Sequence, residues 1–467
     1  MFGLETDLLL VLGFCILCVC FFEFINGFHD TANAVATVIY THSLKPIHAV
    51  ILSGLCNSAG VFVGGIAVAV GIIQLLPVEM MVGTNVYQNV AMALALLLTA
   101  IIWNLGTWYY GIPCSSSHTL IGSILGVGFA YSFLPHSSGD TVNWSKAGEI
   151  GMSLLISPAV GFGLTMGLMY LLKKFAGKQT NLFEEPKQQA PPPFWIRLTL
   201  ILTCTGVSFS HGSNDGQKGV GLLMLILISI LPAYFALNHS LNPSELKTEL
   251  NQVQVVMSKI DSSALKKQQR LQIQLIHSEI NHLQENFLKL NSADSLDIHK
   301  HITTRESLFL LKNNLKNILR SQNLKINEED KVVLKQGLDG VSKYVDYAPT
   351  WTIVLISLCL GLGTMIGWKR IVVTIGERIG KTHLTYSQGA AAELVATTTI
   401  GFSTGLGLPV STTHVLSSGI AGSMVSMNGW KNLRKKMIMN ILLAWFLTLP
   451  FCIFVSGLLF WIFRSIL

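Results

Sequence analysis

Two short polar segments interrupt long apolar stretches of this chain, and each contains an aspartate beside glycines and amide side chains. Asp30 lies in residues 26–36, and Asp215 lies with Lys218 in residues 210–221. A charge inside hydrocarbon costs about 3 kcal/mol or more, so charged residues in apolar segments usually line a polar pathway. The glycines of the second segment predict a broken helix whose backbone comes close to a ligand. We call these two segments the Gly-Asp elements.

The two Gly-Asp elements are copies of each other, and a second pair of motifs supports the duplication. Aligning Gly27 with Gly212 gives matched polar positions. The matches are His29 with Asn214, Asp30 with Asp215, and Asn33 with Lys218. Residues 111–118 and 407–414 likewise share a Gly-x-Pro-x-Ser start and a final histidine. Duplicated halves with interrupted apolar segments are typical of secondary transporters.

The later motifs, which we call the Pro-Ser tips, predict an anion site. Ser115–Ser117 and Ser411–Thr413 each precede an apolar run, and Ser and Thr are favoured at the N-cap of a helix. If the two tips meet within the membrane, two helix N-termini direct backbone N–H groups and partial positive charge at one place. Their hydroxyl groups add donors for an oxyanion. The alternative is a pair of ordinary helix starts whose hydroxyls bond to their own backbone.

The aspartates of the Gly-Asp elements would repel an anion unless each holds a cation or a proton. This requirement is the logic of cotransport, because the bound cation allows the anion to bind. Lys218 could be a fixed ammonium that neutralises Asp215 without a metal ion, or it could extend to the membrane surface. His29 beside Asp30 could carry a proton near neutral pH, or it could be a structural hydrogen-bonding group.

Two further acidic residues lie inside or beside apolar stretches, where a carboxylate is costly. Glu393 follows three alanines, and Glu23 precedes Asp30 in the first span. Both are candidates for a proton or cation site. His118 and His414 recur in register and either brace the tips or contact the substrate.

The composition identifies a polytopic all-α membrane protein. Half of the 467 residues are hydrophobic and only 12% are charged, whereas soluble chains average about 25% charged residues. The formal net charge of +7 needs no nucleic-acid partner, because basic residues cluster beside the spans. The acidic N-terminal residues do not resemble a signal peptide, so we expect the first span to be retained. All eight cysteines lie in or beside apolar runs, as small core residues do.

The chain divides into two repeats, a linker and an insert. The apolar run behind Pro113 is too short for a full span and favours half of a re-entrant hairpin. Residues between the second Gly-Asp element and the next span have no counterpart in the first half, and apolar residues there recur at helical spacing. They predict a water-exposed helical hairpin. The predicted boundaries are 1–172 for the first repeat, 173–194 for the linker, 195–237 and 349–467 for the second repeat, and 238–348 for the insert.

Lys and Arg in the short loops predict the orientation. The loops at 173–197, 369–381 and 431–436 are basic, and residues 75–88 contain no Lys or Arg. Basic loops are usually cytoplasmic. The repeats are then inverted, the insert lies outside the cytoplasm, and both termini are periplasmic.

At these residues the sequence resembles the PiT family of inorganic phosphate transporters. That family carries a Gly-Ala-Asn-Asp-Val-Ala-Asn signature in both halves, in the places held in this chain by residues 27–33 and 212–218. Residues 407–414 also look like the family's later motif. The amino-acid sequence of residues 29–40 and 214–218 is similar to that of the bacterial low-affinity phosphate permeases. The resemblance covers the whole chain except the insert.

The resemblance implies inverted repeats with paired re-entrant hairpins, a homodimer, and transport of phosphate that includes its neutral complexes with divalent metals. It implies phosphate-binding roles for Ser115, Ser116, Ser117, Ser411, Thr412, Thr413, Asn33, Asn214 and Gln217. It implies cation- or proton-coupling roles for Asp30, Asp215, Glu393 and Lys218. The charge argument from the residues adds His29 and Glu23 as candidates for the same role. The sodium-coupled members have Asn where this chain has His29 and Lys218, which favours protons over Na⁺. No bound cofactor is implied.

We therefore expect a secondary transporter that imports orthophosphate by proton symport across a bacterial inner membrane, with alternating access. Sodium-coupled phosphate import and sulfate import are the nearest alternatives. A passive anion channel and a membrane hydrolase that uses His29 and Asp30 are more distant ones. No nucleophile and base arrangement is evident in the sequence, so we do not expect an enzyme.

Overall fold

Every element of the computed structural model is helical within the residues that the structure describes. These are residues 6–30, 32–76, 86–134, 142–177, 180–186, 190–260, 267–290, 292–293, 296–321, 324 and 326–467. Across them the backbone forms helices, turns and one isolated bridge between Gly380 and Leu433. This agrees with the predicted all-α class.

The first half contains seven helices among its described residues. They are α1 (Thr6–Asp30), α2 (Ala32–Tyr40), α3 (Pro46–Val63), α4 (Ala67–Ile73), α5 (Val86–Tyr109), α6 (Ser116–Tyr131) and α7 (Trp144–Ala176). The apolar residues 48–76 are long enough to predict one span, but they form two helices, α3 and α4. The chain turns between them at Gly65, whose φ of +76° suits glycine.

The second half repeats this order around the insert. Its membrane-domain helices are α8 (Phe194–Ile230), α9 (Pro232–Phe235), α14 (Thr350–Met365), α15 (Lys369–Val373), α16 (Tyr386–Gly405), α17 (Thr412–Asn428) and α18 (Lys435–Ile466). A π-helical turn at Thr374–Arg378 follows α15. The insert forms α10 (Pro243–Lys259), α11 (Lys267–Asn286), α12 (Ile298–Arg320) and α13 (Glu328–Val345).

Several of these helices are long and apolar enough to cross a membrane. Among the described residues, five helical stretches meet that condition by length and composition: Thr6–Tyr40, Pro46–Val63, Val86–Tyr109, Trp144–Ala176 and Lys435–Ile466. The pair α13 and α14 meets it together, although the two helices are bent by 67°. Many large apolar side chains on α1, α7 and α18 remain exposed, as expected of surfaces that face lipid.

The second Gly-Asp element is not a broken helix, and that prediction is wrong. Residues 210–221 lie inside the continuous helix α8. Its glycines allow close helix packing. A Cβ atom at Gly212 would lie 2.0 Å from a backbone oxygen of α3, and one at Gly221 would lie 2.7 Å from a backbone oxygen of α4. Small residues are typical of such contacts between membrane helices.

The two halves pack through matched contacts. A Cβ atom at Gly27 of α1 would lie 2.3 Å from a backbone oxygen of α14, as the one at Gly212 does from α3. The same holds in the opposite direction. A Cβ atom at Gly60 of α3 would lie 2.1 Å from a backbone oxygen of α8, and one at Gly363 of α14 would lie 2.0 Å from a backbone oxygen of α1. Likewise α6 packs against α18, and α17 packs against α7. Each contact therefore has a counterpart in which the halves are exchanged.

The insert contains two helices more than the predicted hairpin. The periodic apolar residues that predicted the hairpin lie on α11 and α12, and α10 and α13 pack beside them around a common core. Apolar residues at helical spacing on α10, which include Leu246, Leu250 and Val253, were the missed signal. The buried Arg305 of α12 donates to the backbone oxygen of Ala236, so the insert is tied to the end of α9.

Candidate functional site

Asp30 lies at the end of α1, where both Pro-Ser tips reach it. Ser116 of the first tip donates to Asp30 Oδ2, and Thr413 Oγ1 of the second tip donates to Asp30 Oδ1 at 2.7 Å. His29 Nδ1 lies 3.0 Å from the same Oδ1. The Asp30 side chain is only 2% exposed. One carboxylate therefore links the two halves of the molecule at their duplicated motifs.

Asp215 occupies the matching position inside α8 and is fully buried. Its Oδ1 lies 2.7 Å from Lys218 Nζ, and its Oδ2 lies 3.5 Å from His211 Nε2. Ser116 Oγ is also 3.5 Å from Asp215 Oδ2, so this hydroxyl lies between the two aspartates. The predicted pair of carboxylates thus forms one cluster.

Lys218 is a buried ammonium in the position of a cation. Its side chain is 2% exposed, so it does not extend to a membrane surface. Besides Asp215, Nζ donates to Ser117 Oγ at 2.5 Å and to the backbone oxygen of Val410 at 2.9 Å. An ammonium has three hydrogens, and each has an acceptor at this position. The Lys218 side chain therefore joins both tips to Asp215.

The two tips begin helices as predicted. Ser115 Oγ accepts from the His118 N–H, and Ser411 Oγ accepts from the His414 N–H, so both residues are N-caps. The two histidine rings lie 4.6 Å apart and bring the helix starts together. N-cap bonding uses an acceptor site of the Ser115 and Ser411 hydroxyls, while first-turn N–H groups lack partners within the helix.

The remaining tip hydroxyls differ in their partners. Ser117 Oγ donates to Val410 O at 2.8 Å. Thr412 is 5% exposed, and its Oγ1 has no hydrogen-bond partner among the described residues. A buried hydroxyl without a partner is costly, so Thr412 is the tip hydroxyl best placed to receive a ligand.

Two of the predicted phosphate ligands serve as braces in this conformation. Asn214 donates to Thr404 Oγ1 and accepts from the N–H of Val410. Gln217 accepts from the N–H of Val68 and donates to Gly64 O, which fixes the turn between α3 and α4. The side chain of Asn33, the third predicted amide ligand, lies outside the described residues.

Glu393 belongs to a separate site rather than to the aspartate cluster. It is fully buried on α16, accepts from Thr37 Oγ1 of α2, and accepts from Thr203 Oγ1 of α8 at 2.5 Å. Thr203 and Asp215 are separated on α8 by about 18 Å along the helix axis, at about 1.5 Å per residue. Glu393 therefore joins three helices far from the tips.

Two cavities approach these sites. One, of about 540 Å³, lies between α7, the linker and α16 and is lined by Thr203, a partner of Glu393. The other, of about 710 Å³, lies between α7 and α16 and reaches Val410, whose carbonyl accepts from Lys218. The tips and the Glu393 site each border open space.

His211 is a site residue that the sequence did not assign. Ligand atoms of Asp30, His211 and Asp215 all lie within 4.8 Å of one another. This set of carboxylates and an imidazole could hold a cation. The spacing of His211 and Asp215, four residues apart on one helix, places them on the same face and was the available signal. Thr37 and Thr203 carried no such signal, because isolated threonines are common in membrane helices.

Together these contacts define a buried site with both charge signs. Two carboxylates, one ammonium and two helix N-termini meet between the halves, and hydroxyls of both tips bond to the same carboxylate. The N-termini and Lys218 suit an anion, while the carboxylates suit a cation or a proton. Such a site can bind an anion and a cation as a pair.

Comparison with known proteins places this site in a family. Residues 26–456 match the family described as "Phosphate transporter family". The chain is 39% identical to the low-affinity inorganic phosphate transporter PitA of Escherichia coli strain K12, over 98% of this chain and 97% of PitA. It is 40% identical to PitB of the same organism, with the same coverage.

The fold agrees with that match. A solved structure titled "The sodium-dependent phosphate transporter" aligns with 98% of this chain and 100% of its own, with a TM-score of 0.55 and 19% identity. A low-affinity inorganic phosphate transporter of Buchnera aphidicola (subspecies Schizaphis graminum) is 41% identical over 96% of this chain and 94% of its own. The relatives are named as transporters and not as enzymes. This chain is a membrane protein that belongs to the phosphate transporter family.

Proposed function

We propose that the chain imports inorganic phosphate by proton symport with alternating access. The names of relatives at 39% and 40% identity support phosphate as the substrate. The meeting of both Pro-Ser tips at Asp30 and Asp215 carries the proposal, because it brings two helix N-termini and paired carboxylates to one place. Phosphate binds at the tips, where Thr412 and the first-turn N–H groups donate to it.

Proton coupling is supported by the groups beside the aspartates. Lys218 holds a fixed positive charge 2.7 Å from Asp215, where a metal ion would otherwise neutralise the carboxylate. His29 Nδ1 lies 3.0 Å from Asp30 Oδ1, close enough to pass a proton to that carboxylate. Asp30, Asp215 and the separate Glu393 exchange protons as the site opens to each side. A divalent metal that arrives with phosphate is part of the substrate, and Asp30, His211 and Asp215 are its candidate ligands.

The transport cycle follows from a symmetric arrangement. Matched packing between halves supports an inverted repeat in which the tips are the ends of two re-entrant hairpins.

We further propose a homodimer in a bacterial inner membrane, surrounded by lipid, with the insert and both termini on the periplasmic side. A fusion reporter in the insert that is active only in the cytoplasm tests the orientation, and activity of that reporter would reverse it.

The central experiment is uptake of radiolabelled phosphate into proteoliposomes that contain the pure protein. A proton gradient is imposed in one set and a sodium gradient in the other, with sulfate as competitor. We expect accumulation with protons that sulfate does not inhibit. Accumulation driven only by sodium would refute the proton assignment. Absence of phosphate accumulation under both gradients would refute phosphate symport.

A matched pair of variants tests where phosphate binds. Thr412→Val removes the unpartnered hydroxyl, and Thr398→Val removes an exposed one on α16. A hydrogen bond to a charged group contributes about 1.5–3 kcal/mol. We therefore expect the KM for phosphate to rise about 10-fold to 100-fold in the first variant and to stay unchanged in the second. An unchanged KM for Thr412→Val would exclude this hydroxyl from the binding site.

A further inference from the structure

A further acidic site, distinct from the aspartate cluster and from Glu393, lies on α1. Glu23 and Asn26 are 0% and 1% exposed, and together with His29 they form a row at three-residue spacing on one face of the helix. Glu23 precedes Asp30 by about 10 Å along the helix axis. The function proposed above does not use this row below His29.

The hydrogen bonds of this row are incomplete. Asn26 Nδ2 donates to Glu23 Oε2 at 3.3 Å. Glu23 Oε1 and Asn26 Oδ1 have no hydrogen-bond partner among the described residues, and the same is true of both side-chain polar atoms of Asn104 on α5. Asn104 is 0% exposed. Buried polar atoms normally have partners, so this group is incomplete without a further atom.

Helix geometry places Asn104 at the level of Asn26. His29 Nε2 lies 3.3 Å from Thr107 Oγ1, and α1 and α5 pack along each other while both end near this contact. The two helices therefore run in the same direction. Three residues back from His29 and Thr107, Asn26 and Asn104 therefore lie at about the same height along the two helices.

Gly219 of α8 lies against the carboxyl group of Glu23, and any larger residue at that position would overlap it. A Cβ atom at Gly219 would lie 2.4 Å from Glu23 Cδ and 2.5 Å from Oε1. In the alignment of the two halves, Ser208 stands where Glu23 stands and Ala34 stands where Gly219 stands. The carboxyl group and its space are thus found together in one half only.

The surrounding charges disfavour another anion. The ionisable groups facing Glu23 are Asp30 on its own helix, Asp215 and Lys218 on α8, and the thiol of Cys359 on α14. The α5 side contributes the neutral Asn104 and Thr107. Two carboxylates and one ammonium already leave an excess of negative charge, which an ionised Glu23 would increase.

The unpaired atoms specify what is missing. Glu23 Oε1, Asn26 Oδ1 and Asn104 Oδ1 are acceptors, whereas Asn104 Nδ2 is the one unpaired donor group of this set. An ionised carboxylate adds no donor. A protonated one supplies an O–H that can donate to an amide oxygen, so a single proton relieves both the donor deficit and the buried charge.

We infer that Glu23, with Asn26 and Asn104, forms a proton-binding site separate from the aspartate cluster and from Glu393, and that it binds and releases one proton in each transport cycle. The O–H bond at Glu23 Oε1 breaks when solvent water reaches the site and accepts the proton, and it forms again from hydronium on the other side. The cycling role rests on the proposed proton symport. The presence of the proton does not.

Infrared spectroscopy of the pure protein at neutral pH tests the proton directly. We expect Glu23→Gln to lose a carboxylic acid C=O band that wild type shows, while Glu149→Gln, which removes a 55% exposed carboxylate, keeps it. In Gly219→Ala the carboxyl group is retained but displaced, so the band should shift in frequency. Identical wild-type and Glu23→Gln spectra would overturn the proton site, whether or not the protein transports phosphate.

The number of protons taken up per phosphate tests the cycling role. A pH-sensitive dye inside proteoliposomes, read together with labelled phosphate, should give one proton fewer for Glu23→Gln than for wild type and Glu149→Gln. An unchanged ratio, with the infrared band lost, would overturn the cycling role. If Glu23→Gln does not fold, Gly219→Ala should still shift the band, and an unshifted band in that variant would overturn the site.

Discussion

Replacing Lys218 by Asn tests the fixed-cation idea most directly, because Asn stands at the matching position of the first half, residue 33. Lys218 Nζ lies 2.7 Å from Asp215 Oδ1. At an effective dielectric constant of about 20, two unit charges at that distance attract by about 6 kcal/mol. Removing one partner of a buried ion pair costs about 3–5 kcal/mol, because the other charge is left unpaired.

The unpaired Asp215 must then take up a proton or bind a mobile cation. If neutralising Asp215 costs about 3 kcal/mol, the neutral site is populated about 100-fold less. We therefore expect proton-driven phosphate uptake to fall about 100-fold or more. A sodium gradient should restore part of it, since Na⁺ can take the place of the ammonium. Proteoliposome uptake under each gradient measures both effects.

The matched control is Lys173→Asn, which removes an exposed lysine near the end of α7. It should transport as wild type does. Thermal unfolding in detergent establishes that Lys218→Asn is folded. A folded Lys218→Asn protein whose uptake rate and ion dependence match those of wild type would refute the idea that Lys218 acts as a tethered cation.

Three further predictions concern charge, packing and the insert. Asp215→Asn leaves Lys218 as a buried ammonium without its carboxylate. Phosphate uptake should therefore fall about 100-fold or more while the protein remains folded. Full activity would contradict the paired-charge site. Gly212→Ala would place a Cβ atom 2.0 Å from a backbone oxygen of α3, whereas a Cβ atom at Gly106 would meet open space. Gly212→Ala should therefore lower the Tm, and Gly106→Ala should not. Equal Tm values would refute the close packing. Burial lowers the pKa of the Arg305 guanidinium to about 10, so the group is charged at neutral pH. Arg305→Leu removes the hydrogen bond to Ala236 and should make the insert more sensitive to protease. Unchanged digestion would show that this hydrogen bond does not hold the insert.

The helices and their helix starts were largely predictable, since they follow from local patterns. Long apolar runs gave the spans, and Ser115 and Ser411 gave the N-caps because capping depends on residues within one turn. The insert was only half predicted: α10 and α13 also carry apolar residues at helical spacing, but the prediction used only the pattern on α11 and α12. The glycines of α8 were misinterpreted as a break, since a sequence does not state whether glycine relieves a turn or admits a neighbouring helix.

The site was predictable as a set of residues but not as a set of bonds. The duplication picked out the aspartates, Lys218 and the tips, and the structure brings these together. It also separates Glu393 from them and uses Asn214 and Gln217 as braces. These outcomes depend on partners far away in the chain, such as Thr413 for Asp30.

The sequence by itself determined the membrane class, the two halves and the residue types of the site, because apolar length, repetition and helix capping are local or periodic properties. Only the tertiary structure decided which hydroxyl bonds to which carboxylate, and that Glu23 packs against Gly219. The physical reason is that a hydrogen bond requires its atoms within about 3 Å. In this chain that distance is set by the packing of helices from opposite halves.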